Sequence, residues 1–102
     1  SQEKRDKLKD DLEELRNDFQ LIIVSRGDPY FQEKKIVDSG VLEHVDGYFI
    51  VENEDKDEVN IDFLVDDRQE EVDRVSVPGL VLDRSEEDLQ HAVDQIREKF
   101  WD

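Results

Sequence analysis

The sequence predicts an α/β domain of three layers, with about four mainly parallel strands flanked by helices. Three observations carry this expectation. Short apolar-rich runs, at Leu21 to Val24, Tyr48 to Val51, Asp62 to Val65 and Leu80 to Leu82, alternate with segments of helical spacing. The first run is continuous rather than alternately polar and apolar, as a parallel strand covered on both faces is. Helix-start and helix-stop residues fall between the runs. A chain of 102 residues has the length of one domain, so residues 1–102 are read as a single unit.

The first segment, Glu3 to Asp18, contains no Gly or Pro, and Leu8, Leu12, Leu15 and Phe19 form one apolar stripe at helical spacing. The first strand follows. Asp28 directly precedes Pro29, which places a good N-cap before a residue favoured at the first helical position. The tripeptide Arg26-Gly27-Asp28 therefore reads as a strand-to-helix turn rather than an adhesion signal: Gly27 permits the tight exit and Asp28 caps the helix. That helix runs to about Ser39, where Gly40 ends it. After the second strand, Glu52 to Glu58 is an acidic loop, and after the third, Gln69 to Val75 makes one or two helical turns. Pro78-Gly79 is a turn into the fourth strand. Ser85-Glu86-Glu87-Asp88 resembles a capping box and opens a last helix with Leu89, Val93, Ile96 and Phe100 on its apolar face. The link from the second strand to the third is shorter than the roughly a dozen residues of a usual parallel crossover. It is the weak point of a single four-stranded sheet.

Composition excludes several functions. Without cysteine there are no disulfides, zinc-thiolate sites or thiol chemistry. His44 and His91 are too far apart to read as a ligand pair and look structural or superficial. No apolar run approaches the ~20 residues of a membrane span, and no secretory leader is visible, so a cytoplasmic location is expected. Thirty acidic residues against fourteen basic ones give a net charge of −16. That surface repels nucleic acid and anionic membranes, and neither is expected as a partner. Two readings of the acidity stand: a halophilic surface adapted to high salt, or a surface for a basic partner. In either case self-repulsion at low ionic strength should weaken the compact state.

In open parallel sheets, ligands bind beyond the carboxyl ends of the strands. Here those ends deliver Ser25, then Glu52 and Asn53, then Asp66 and Asp67, then Asp83. Carboxylates on one rim can hold Mg²⁺, and a hydroxyl at a helix start can hold a phosphate oxygen. Lys56 could neutralise phosphate charge. Each position also has a plainer role: Ser and Asp after strands cap helices, and a loop lysine is commonly solvated.

Taken together, "LIIVSRGDPYFQEKKIVDSGVLEHVDGYFIV", "NEDK" and "IDFLVDDRQEEVDRVSVPGLVL" resemble the later part of a haloacid dehalogenase-like (HAD-like) hydrolase domain, over about residues 12 to 83. The resemblance implies a Rossmann-like fold and Mg²⁺-dependent phosphohydrolase ancestry. It assigns Ser25 as the phosphate-binding hydroxyl and Lys56 as the lysine that steadies phosphate and nucleophile. Lys34 and Lys35 suit that role less, since they fall within the preceding helix. It assigns "VDDRQEE" as the acidic Mg²⁺ motif, with Asp67 in the main position, Asp66 beside it and Glu71 four residues on.

The departures are as informative. Members of that superfamily begin with a central strand carrying Asp-x-Asp, which supplies the nucleophile and the general acid and base. Asp10-Asp11 sit in a helical segment with the wrong spacing and no apolar run before them. An aspartyl-phosphate route needs the attacking carboxylate. The expectation is thus a truncated HAD-like domain, catalytically silent alone, that at most binds Mg²⁺ or a small phosphorylated ligand weakly. One alternative is a fragment of an active phosphatase whose first motif lies outside this chain. Another is an acidic interaction module for a basic partner. Self-association or a partner chain that completes the sheet is expected where a strand edge is left open.

Overall fold

Two strand–helix–strand units supply the four strands found among the described residues. The computed structural model describes residues 2–83 and 89–100. Helix α1 (Gln2–Arg16) leads into β1 (Ile22–Arg26), α2 (Pro29–Ser39) and β2 (Gly47–Val51). Then come β3 (Leu64–Asp66), α3 (Gln69–Arg74), β4 (Gly79–Val81) and α4 (Leu89–Phe100). Short 3₁₀ turns at Val41–His44 and Lys56–Glu58 precede β2 and follow it.

Among the described residues both strand pairings are parallel. In the first unit Ile22 lies opposite Gly47 and Arg26 opposite Val51. In the second, Leu64 lies opposite Gly79 and Asp66 opposite Val81. The expected four-stranded sheet is not formed among the described residues: β1 and β2 make one sheet, and β3 and β4 another. The short link from β2 makes no parallel crossover within one sheet, which is where the sequence was weakest. The architecture is α/β, split in two. A second expectation also fails. Strand β1 is half-buried along its whole length, not covered on both faces. The third strand starts later than expected, at Leu64. The capping-box residues 85–88 lie outside the described residues.

The local signals that set α2 behave as the sequence predicts. Asp28 Oδ1 accepts from Phe31 N at 3.0 Å, and Pro29 opens the helix. Gly40 closes it in the left-handed region at φ 76°, donating to Val37 O. Gly27 has φ 144°, and a Cβ there would fall 2.9 Å from the Gln32 side chain. Asp28→Ala is expected to lower stability by about 1 kcal/mol, read as an earlier urea midpoint. An unchanged midpoint would remove the cap from the account.

One cluster is shared by both sheets. Leu15 of α1 and Val93 and Ile96 of α4 are buried together, with Phe19, Leu21, Phe63, Val65 and Leu89 packed against them. Leu21 enters β1, whereas Phe63 and Val65 belong to the β3 segment. The α1–α4 layer thus anchors both strand pairs. Phe100 lies edge-on to Phe19 and Phe63, with ring centroids 6.3 and 6.0 Å apart. Asp46 adds a polar tie: its carboxylate accepts from Leu21 N at 2.8 Å and from Arg16 at 3.0 Å. These donors, Leu21 N–H first, hold its pKa below the usual aspartate value. The stripe of α1 departs from expectation at its amino-terminal end, where Leu8 is exposed while Asp11 is buried and paired with Lys7 at 3.5 Å.

The accessible surface is 7045 Å². A folded monomer of this mass exposes about 6,000 Å². The excess fits thin strands that are not fully covered. Among the described residues no helix is long and apolar enough to cross a membrane.

Candidate functional site

The carboxyl ends of β1 and β3 meet in a network of buried charge. Arg26 is the last residue of β1 and Asp66 the last of β3, while Glu71 lies in the first turn of α3 and Lys56 opens the 3₁₀ turn after β2. Glu71 is 3% exposed and Lys56 8%. Charges this far from water need partners, and each has them.

Arg26 grips Glu71 with both arms of its fork, Nε to Oε2 and Nη2 to Oε1, each at 2.8 Å. Its Nη1 donates to Glu52 O at 2.7 Å. This planar two-bond pairing is charge-assisted and matches the guanidinium fork to the carboxylate, which makes it strong and geometrically specific. Lys56 Nζ lies 2.6 Å from Asp66 Oδ2 and 3.8 Å from Glu71 Oε2. Asp66 Oδ1 accepts from Arg68 N at 3.0 Å. At the rim, Arg74 donates to Asp55 at 2.8 Å and lies 4.0 Å from Glu71. Arg26, Lys56 and Arg74 thereby balance Asp55, Asp66 and Glu71. Hydrogen bonding from Arg26 holds the Glu71 carboxyl below its usual pKa against the opposing effect of burial, and Lys56 and Arg74 assist. The Glu71 carboxylate in turn raises Arg26.

Three of the expected site residues, Lys56, Asp66 and Glu71, are therefore brought together. Ser25 is placed at the end of β1, but its hydroxyl donates to Gln32 Oε1 at 2.8 Å. Asp67 is exposed on the turn into α3. Lys34 pairs with Asp38 along α2, and His44 with Glu13. Sequence reasoning missed Arg26, which it placed only in a turn, and the outer pair Arg74–Asp55. The available signal was position: Arg26 ends a strand whose carboxyl edge is shared with the acidic motif.

The donor set does not suit Mg²⁺ as it stands. That ion demands near-octahedral oxygen ligands. Here Asp66 is spent on an ammonium and a backbone N–H, and both Glu71 oxygens on a guanidinium. Among the described residues no three His, Asp or Glu side chains converge as a metal site. The arrangement neutralises its own charge and ties β1 to α3. Compared with protein families, curated proteins and solved structures, the chain matches none.

Proposed function

We propose that this chain is a catalytically silent domain of HAD-like, Rossmann-like descent, whose former phosphate edge has become a structural clasp. The order of Ser25, Lys56 and the Asp66-Asp67 pair along the sequence supports the descent. The pairing of Lys56 with Asp66 across a strand end supports it further. One observation carries the loss of function. Four of the five groups assigned to phosphate or metal are already engaged: Lys56 and Asp66 with each other, Glu71 with Arg26, and Ser25 with Gln32. Releasing them would cost more than a weakly held ion returns.

The direct test is hydrolysis of para-nitrophenyl phosphate with MgCl₂ in high KCl. The expected rate is that of buffer alone. Turnover that disappears in Asp67→Asn would overturn the proposal.

The split sheet favours a second reading. Strands β1 and β3 each carry an edge without a strand partner among the described residues, and open edges invite pairing. In this reading a strand from another chain completes the sheet and supplies the missing carboxylate. It predicts that turnover appears on adding a polypeptide with an apolar strand carrying Asp-x-Asp, and is lost again in Lys56→Met.

A further inference from the structure

Strand β2 has a second edge, away from β1, with no strand partner among the described residues. An open depression of about 470 Å³ lies beside it, lined by Phe49, Ile50, Val51 and Val59, with Glu54 and Glu58 on its rim. Side chains of consecutive strand residues point to opposite faces. A depression touching Phe49, Ile50 and Val51 in turn therefore runs along the edge of the strand rather than over one face. Gly27 N donates to Val51 O at 3.0 Å, so the backbone groups of Val51 and Phe49 face β1. Those of Tyr48 and Ile50 face the open edge.

The strand itself carries none of the residues that most discourage pairing. Gly47–Val51 contains no Lys or Pro, the residues that usually discourage strand addition. Phe49 is 50% exposed. The rim carboxylates differ from those of the clasp, because neither is in an ion pair among the described residues. Glu54 accepts from Glu52 N at 2.9 Å, which holds its carboxyl below the usual range.

We propose that this edge and its depression form a docking site for an extended, cationic segment of a protein partner. The segment adds as a strand to β2, an apolar side chain fills the space over Val59, and an arginine or lysine lies across Phe49 toward Glu54 and Glu58. A chain with a net charge of −16 favours a cationic occupant and disfavours both a second copy of itself and a nucleic acid. The inference stands apart from the silent-domain reading, since it uses none of Ser25, Lys56, Asp66, Asp67 or Glu71.

The test is an amide NMR titration of the full chain with a short peptide alternating arginine and valine, at physiological ionic strength. Saturable shifts are expected at Tyr48 to Val51 and Glu54 to Asn60. The double variant Glu54→Gln/Glu58→Gln should bind about tenfold more weakly. Glu70→Gln/Glu98→Gln, which removes equal charge elsewhere, should bind as the unmodified chain does. Equal losses in both variants, or shifts spread over all acidic residues, would reduce the binding to diffuse attraction and overturn the proposal. So would peptide-free shifts at β2 that grow with protein concentration, which would identify a second copy as the occupant.

Discussion

Replacing Glu71 with alanine is expected to destabilise the fold by about 3–5 kcal/mol, the usual cost of breaking a buried ion pair by removing one partner. Glu71 is nearly inaccessible, and its loss leaves the Arg26 guanidinium and the Lys56 ammonium facing a void with reduced compensation. Denaturation by urea at high KCl checks this, with salt present so that general surface repulsion does not mask the local effect. The double change Arg26→Met/Glu71→Leu should recover much of the loss, because it removes both charges while keeping volume. The pair also sets a pH dependence. The Glu71 carboxyl is held below its ordinary value of 4.5 in the folded chain. Its contribution is therefore fully present above that value and is lost as pH falls through the lower, folded value. Acid should thus erode stability in the unmodified chain, and Glu71→Gln should start less stable at neutral pH and lose less on acidification. The difference between the two chains is the informative quantity. Asp46 and Asp57, lowered first by the N–H groups of Leu21 and Ser76, add the same sign of slope to both.

Leu15→Ala is expected to cost about 3 kcal/mol, the common range for truncating a buried leucine. Leu15 is 4% exposed and belongs to the cluster with Val93 and Ile96. Its effect should be wider than its own cavity. Leu21 from the first strand pair and Phe63 and Val65 from the second pack against the same three side chains. The two sheets share no strand pairing among the described residues, so coupling between them runs through this cluster, the Arg26–Glu71 clasp and the ties from the loop after β2, Lys56–Asp66 and Arg74–Asp55. Hydrogen exchange should show protection falling in β1 and β3 together. Loss confined to α1 would mean that the helix layer does not join the two units.

Much of the local structure was legible in the sequence because short-range chemistry sets it. Asp28, Pro29 and Gly40 bound α2 through hydrogen bonds that span only a few residues. Val93 and Ile96 were readable as the inward face of α4 from helical spacing alone. The sheet was less legible. Periodicity indicates that a run is a strand but not which strand lies beside it, and only the short link after β2 hinted at the division. The sequence placed Asp11 in a charged helical segment and carried no signal for its burial, yet it is buried against the fold. The site was half legible. Strand-end and loop position pointed to Asp66 and Lys56, and the HAD-like resemblance implied Glu71, but their mutual neutralisation depends on Arg26, which reaches Glu71 from 45 positions away in sequence. Sequence distance of that kind leaves no local pattern to read.

The central claim is that the acidic edge is closed by its own cations. An amide NMR titration with MgCl₂, at constant high ionic strength set by KCl, tests it most directly. The account predicts no saturable shift at Asp66, Asp67 or Glu71, only small uniform changes over the exposed carboxylates. Saturable shifts confined to those three residues, with the Lys56 signals moving in step, would show that Mg²⁺ displaces the clasp and would contradict the account.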